Sequence, residues 1–251
     1  MNISDVLNKD AISELLKQFS IDNRQYKSEA QLQFELAWAI KTLLNKTKCE
    51  NSPEVWLEYF GAYRQPEGGK VKKFFTDIMV IDSLGNYIPI EIKYKTTSVR
   101  KGDISVFENY GHHGATDLGR FDYLWDVKRV QYLKHKNAPD FVFNEELKQY
   151  SRGFAILLTN DELYWTVTKD SLKQNNKDPL YLDFCIGDGE KIPAHTELKW
   201  NKKRVKSAVD GTWRDEGYIV PLKFDTDIDC KWDPYTAANS IFKYLIIEIP
   251  N

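Results

Sequence analysis

Long apolar runs are missing from this 251-residue chain. The longest, Gly153 to Leu158 and Tyr244 to Ile249, are strand-sized and fall short of the ~18 residues of a membrane span. No basic stretch followed by an apolar core follows Met1, so no secretory signal is visible and a cytoplasmic location is expected. Cysteine is scarce and scattered: Cys49, Cys185 and Cys230 are odd in number and form no C-x-x-C pair. A disulfide framework and a cysteine zinc site are therefore not expected, which suits a reducing compartment. A dominant charge is also absent, since 35 Lys+Arg stand against 37 Asp+Glu for a net charge of −2. That balance excludes a polycation that coats nucleic acid by electrostatics alone, but it leaves room for local patches. Basic residues do cluster, at Arg64 to Lys73, Lys93 to Lys101, Lys128 to Lys136 and Lys199 to Lys206. No repeat and no low-complexity segment is present. With 42% apolar and 29% charged residues, the composition is that of an ordinary globular chain. Its 14% aromatic content, with seven Trp, fits either a large core or exposed stacking platforms.

The pattern along the chain predicts a short amphipathic helix from about Asp10 to Phe19. A second helix starts at a capping box, Ser28-Glu29-Ala30-Gln31, and carries Leu32, Leu36, Ala39, Ile40 and Leu43 at helical spacing to about Lys46. Three strands are predicted next, over Glu54 to Tyr63, Val71 to Asp82 and Tyr87 to Lys95, the last two joined by the tight Ser83-Leu84-Gly85-Asn86. An irregular stretch with Gly111-His112-His113-Gly114 and Gly119 leads to a helix over Phe121 to Lys134. Gly153 to Thr159 is apolar on both faces, as a central strand should be, and Leu163 to Thr168 reads as a further strand. Tyr181 to Ile186, Gly217 to Phe224 and Phe242 to Ile249 are weaker strand candidates. The expected class is α/β, a central mixed sheet flanked by helices, with a core over residues 1–170 and a β-rich C-terminal extension over 171–251 packed on it.

In Ile88-Pro89-Ile90-Glu91-Ile92-Lys93-Tyr94-Lys95, alternation sends the apolar residues one way and Glu91, Lys93 and Lys95 the other. Such a face is ordinarily the wet side of an amphipathic strand. Asp77 changes the reading, because aspartate is a poor strand residue and this one sits inside Phe74 to Ile81. In a hairpin closing at Gly85-Asn86, Asp77 and Glu91 reach similar levels on one face. Glu35 lies at the border of the apolar stripe of its helix and can reach the sheet beneath. Converging carboxylates need a cation. An all-oxygen set suggests Mg²⁺ or Mn²⁺, and with a nearby lysine the chemistry that fits is phosphodiester hydrolysis.

The Thr76-Asp77 strand, the hairpin, Glu91-Ile92-Lys93 and the preceding helix with Gln33-Phe34-Glu35-Leu36-Ala37-Trp38 together resemble the PD-(D/E)XK nuclease superfamily, the restriction-endonuclease-like fold. The order helix, three strands, helix, strand over about two-thirds of the chain matches that family's core. The family's proline before the aspartate is Thr76 here. The resemblance implies a metal-dependent DNA endonuclease acting in restriction, repair or defence, with RNA as another conceivable substrate. It makes Asp77, Glu91 and the main-chain carbonyl of Ile92 metal ligands, Lys93 the catalytic lysine, and Glu35 an outer metal or water ligand. Lys70, Lys72, Lys73 and Lys95 are candidates for substrate phosphate. Cutting two strands with one active site needs two visits or two chains, so a homodimer is an expected assembly. The alternatives are a nuclease-like protein that binds nucleic acid or acts as a scaffold without cleaving it, and a glycosidase built on paired carboxylates, in which Lys93 has no role. His112-His113 reads as a polar loop, and Asp126 and Arg129 as an i,i+3 pair on the helix after the core strands.

Overall fold

A computed structural model describes residues 1–64, 71–97, 116–134, 141–142, 147–174, 182–199, 222–237 and 240–251. Lys70, Arg100, Lys101, His112 and His113 lie outside the described residues, as does most of the Gly217 to Phe224 candidate strand.

Three helices open the chain: α1 (Ile3–Val6), α2 (Lys9–Ile21) and α3 (Glu29–Lys46). Ser28 caps α3 as its sequence suggested, its hydroxyl accepting from the Gln31 N–H. Gln31 reaches back one residue further than in a standard capping box, to the Lys27 N–H at 3.0 Å. Strands β1 (Glu54–Arg64), β2 (Val71–Ile81) and β3 (Asn86–Lys95) follow, then helix α4 (Thr116–Lys134). The short β4 (Phe141–Val142) and β5 (Gln149–Tyr150) precede the central strand β6 (Arg152–Thr159). Two short helices, α5 (Leu163–Thr166) and α6 (Lys169–Gln174), a 3-10 turn at Leu182–Phe184 and the small pair β7 (Lys191–Ile192) and β8 (Ile228–Asp229) come next, before β9 (Trp232–Ala237) and β10 (Ser240–Pro250).

The main sheet has the order β4-β1-β2-β3-β6-β10-β9, with β5 beside β3. It is mixed: β3 and β6 run parallel, across the connection that holds α4, while β1-β2, β2-β3, β6-β10 and β10-β9 are antiparallel. The α/β class with helices on a mixed sheet is thus as expected. The final strand β10 runs between β6 and β9, so residues beyond 170 complete the sheet itself.

Strand alternation sorts the buried side chains into two layers. Ile78, Val80, Ile88, Ile90, Ile92, Tyr94, Phe154, Ile156, Leu158, Tyr244 and Ile246 pack with Leu16 of α2 and Leu32, Leu36 and Ile40 of α3. Met79, Ile81, Ala155, Leu157, Leu245, Ile247 and Ile249 pack with Phe121, Leu124, Val127, Val130 and Leu133 of α4. Each fully buried aliphatic side chain contributes about 1.5–3 kcal/mol. Among the described residues no helix is long and apolar enough to cross a membrane.

Three expectations are corrected. Leu163 to Thr168 is not a strand, because Asp161 takes the Leu163 N–H at 3.0 Å and the Glu162 carbonyl takes the Thr166 N–H at 2.9 Å, which starts a helical turn. The Tyr181 to Ile186 candidate holds a 3-10 turn instead, with the Cys185 N–H on the Leu182 carbonyl. Helix α4 starts at Thr116 rather than Phe121 and absorbs Gly119. A Cβ on Gly119 would lie 1.9 Å from the Tyr164 hydroxyl, so this glycine serves close packing rather than a loop.

Candidate active site

The β2-β3 ladder pairs Ile81 with Tyr87 through Ile78 with Ile90, and there it ends. Strand β2 continues along β1 as far as Val71 opposite Arg64, so the β1-β2 ribbon leaves β3 just where Asp77 and Glu91 stand. The parting frees the β2-facing N–H groups of β3, and two carboxylates take them. Asp77 Oδ2 accepts from Ile92 N at 2.6 Å, and Glu29 Oε2 accepts from Tyr94 N at 2.7 Å. This is the physical reason for an aspartate inside an apolar strand. An extended residue presents its N–H and C=O to the same neighbour, so the Ile92 carbonyl faces this gap as well.

Opposite Asp77 on β1, Glu58 interrupts the ladder in a left-handed conformation, φ 49°. A non-glycine residue there is strained, and such strain gathers at functional sites. Gln33 of α3, 7% exposed, ties the two strands together. Its amide donates to Glu58 Oε1 at 2.9 Å and to the Asp77 carbonyl at 2.7 Å.

Glu91 and Lys93 point toward α4, as the alternation required, but that face is not wet: Glu91 is 0% exposed. Helix α4 supplies its counter-charges. Arg129 Nη2 donates to Glu91 Oε2 at 2.5 Å and to Asp126 Oδ1 at 2.8 Å. Lys93 Nζ lies 3.1 Å from the other Asp126 oxygen. The result is a chain Glu91–Arg129–Asp126–Lys93 whose two carboxylates are buried and whose two cations stay partly exposed, with Asp77 alongside. Glu91 Oε1 is buried and has no hydrogen-bond partner. Burial drives the Asp77 carboxyl up from 3.8 to about 7, against the pull of the Ile92 N–H and with help from Asp126. Burial likewise raises Glu91 well above the carboxylate range, although Arg129 pulls the other way. Asp126 holds the Lys93 ammonium firmly protonated. Arg129 keeps its charge despite its burial, because Asp126 and Glu91 face it.

Asp77, Glu91 and Lys93 are therefore brought together, with Ile92 between them. Glu35 is not. It accepts from Arg24 Nη1 at 2.7 Å and is itself partly exposed, and the α3 carboxylate whose charge bears on Asp77 and Lys93 is Glu29. Lys72 and Lys73 stand on β2 opposite Tyr63 and Ala62, and Lys95 on β3 beside Thr159. The residues sequence reasoning missed are Glu29, Gln33 and Glu58, and the part played by Asp126 and Arg129. The helical wheel held a signal for two of them. Gln33 falls on the row of Glu29, Leu36 and Ile40, and Asp126 on the row of Tyr123, Val130 and Leu133, both inward stripes. Nothing in the sequence marked Glu58 for a left-handed backbone.

The donor chemistry suits a hard divalent ion. A buried carboxylate oxygen without a partner, a second carboxylate beside it and a carbonyl facing the same gap are all oxygen donors. Among the described residues no three His, Cys, Asp or Glu side chains converge as ligands. Mg²⁺ needs only one or two carboxylates when waters and substrate phosphate complete its shell.

Two residues along β1 from Glu58, exposed aromatics gather. Phe34 and Trp38 of α3 and Trp56 and Leu57 of β1 line a groove of about 410 Å³ that also holds Lys41.

Comparison with family models, with characterised proteins and with solved structures finds no match to this chain.

Proposed function

We propose that this chain is a metal-dependent endonuclease that hydrolyses DNA phosphodiester bonds, built on a restriction-endonuclease-like core of α3, β1, β2, β3, α4 and β6. The observation that carries the reading is the parting of β2 from β3. It places Asp77, Glu91 and the Ile92 carbonyl around one gap, with Lys93 beside them and Glu91 Oε1 left without a partner. Asp77, Glu91 and the Ile92 carbonyl would hold Mg²⁺ or Mn²⁺. When bound, such an ion supplies Lewis-acid polarisation of a phosphoryl oxygen and a more acidic water. Lys93, a protonated ammonium fixed by Asp126, binds and orients the scissile phosphate and stabilises charge that builds on it. Helix α4 buries the Glu91 side chain and leaves Lys93 only partly exposed, and the low dielectric strengthens these contacts. The exposed Trp38, Trp56 and Phe34 support a nucleic-acid substrate, since aromatic faces stack on bases without regard to sequence.

The test is plasmid cleavage with Mg²⁺ or Mn²⁺ by the parent, Lys93→Ala and Asp77→Ala. Nicking or linearisation that needs the ion and disappears in both variants supports the reading. An intact plasmid, with intact RNA and intact single strands, from folded parent protein rejects it.

One observation favours a second reading. Arg129 and Lys93 already pair with both buried carboxylates, Glu91 and Asp126, and such a network can be a purely structural device. On that reading the chain binds nucleic acid with a steep salt dependence and releases no product.

A further inference from the structure

The most unusual feature of the α4 face is that a protein cation already holds one oxygen, Oε2, of the carboxylate whose other oxygen the proposed reaction would give to a metal ion. Arg129 touches Glu91 and Asp126 with one nitrogen, at 2.5 and 2.8 Å, and Glu91 has no solvent contact at all. A buried carboxylate that loses its partner is strongly disfavoured, so the folded chain without an ion depends on this guanidinium. Asp126 also holds Lys93 at 3.1 Å, which keeps the second cation of the cluster away from Glu91 and assigns it to Asp126. A divalent ion on the free oxygen of Glu91 would face the Arg129 guanidinium across a single carboxylate.

We propose that Arg129 is the internal counter-ion of the site. It holds Glu91 in place through Oε2 when no ion is bound, and through its charge it competes with an ion at Oε1 of the same carboxylate. The inference rests on the nuclease reading, and it names Arg129 a positioning residue that sets how tightly the ion binds. The competition follows from charge: the guanidinium and the ion draw on the same buried carboxylate, so each weakens the other by the same factor.

The experiment is calorimetric titration of Mn²⁺ alone into the EDTA-stripped full chain, for the parent, Arg129→Gln, Arg129→Lys and Asp77→Asn, with a thermal melt of each in the stripped state. Arg129→Gln should bind Mn²⁺ roughly 5- to 150-fold more tightly than the parent, the ordinary range of coupling between two sites. Its stripped form should melt lower, and Mn²⁺ should restore the loss. If Arg129→Gln does not fold without the ion, Arg129→Lys carries the test. A lysine keeps the charge but lacks the fork, so it should tighten Mn²⁺ binding by less. Unchanged or weaker Mn²⁺ binding in a folded Arg129 variant, while the parent binds Mn²⁺ and Asp77→Asn does not, overturns the counter-ion role and leaves the nuclease reading standing. No Mn²⁺ binding by the parent or by any Arg129 variant overturns the metal site, and both inferences with it.

Discussion

Replacing Asp77 with asparagine should stabilise the ion-free protein, and by an amount that grows with pH. Asp77 sits half-buried where β2 leaves β3, and burial is the main cause that lifts its carboxyl from 3.8 to about 7. The folded state thus holds this proton more tightly than the unfolded chain does. Its contribution to stability is complete below about pH 4 and is lost as pH rises through about 7. Carried in full, that displacement amounts to about 4 kcal/mol. Solvent still reaches the carboxyl, and screening reduces the figure to about 1–2 kcal/mol. Asparagine keeps a neutral oxygen for the Ile92 N–H and never ionises. The loss of charge also eases the neighbouring Glu91, whose ionised form Asp77 opposes, and this works in the same direction. Urea denaturation in EDTA, run from about pH 4.5 to about pH 8 within the range where carboxylates titrate, reads the difference directly. The variant should match the parent near the acid end and exceed it by about 1–2 kcal/mol at the alkaline end. A difference that stays constant with pH, or a variant weaker at pH 8, would refute the account of Asp77 as an ionised group held against its burial.

Four other outcomes follow from the placement of particular residues. Glu35→Gln breaks a partly exposed pair with Arg24 and should lower stability by less than about 1 kcal/mol in a thermal melt, with plasmid cleavage unchanged. Glu29→Gln, by contrast, should slow cleavage, because it alters the charge beside Asp77 and Lys93. Ile246→Ala, in the middle of β10, should cost about 2–5 kcal/mol by chemical denaturation. Ending the chain before β10 should abolish cooperative unfolding, since β6 and β9 both pair with that strand.

Periodicity decided the elements wherever the pattern repeats over several turns or pleats. Helix α3, strands β2, β3 and β6 and the C-terminal strand β10 lie where their apolar spacing puts them, because one buried face imposes a period on the residues that fill it. Short segments escaped this rule. Leu163 to Thr166 carries strand-forming residues, yet Asp161 and Glu162 supply local hydrogen bonds that start a helix, and four residues hold too little pattern to oppose them. Glu35 shows the limit for single charges. Its position at the border of the stripe was legible, but Arg24, which captures it, comes from outside the helix.

What the sequence determined by itself is the alternation that sets Glu91 and Lys93 on the face opposite Ile90 and Ile92, and the oddity of an aspartate among the β-formers of β2. Both are local properties, written in neighbours two residues apart. The tertiary structure alone decided that Glu91 is buried, that Asp77 closes a gap left by a departing strand, and that the cations of the cluster include Arg129. Each of these depends on where α4 packs and where a ladder ends. Those are contacts between residues 15 to 38 positions apart, and no pattern along the chain encodes which distant side chain will fill the space.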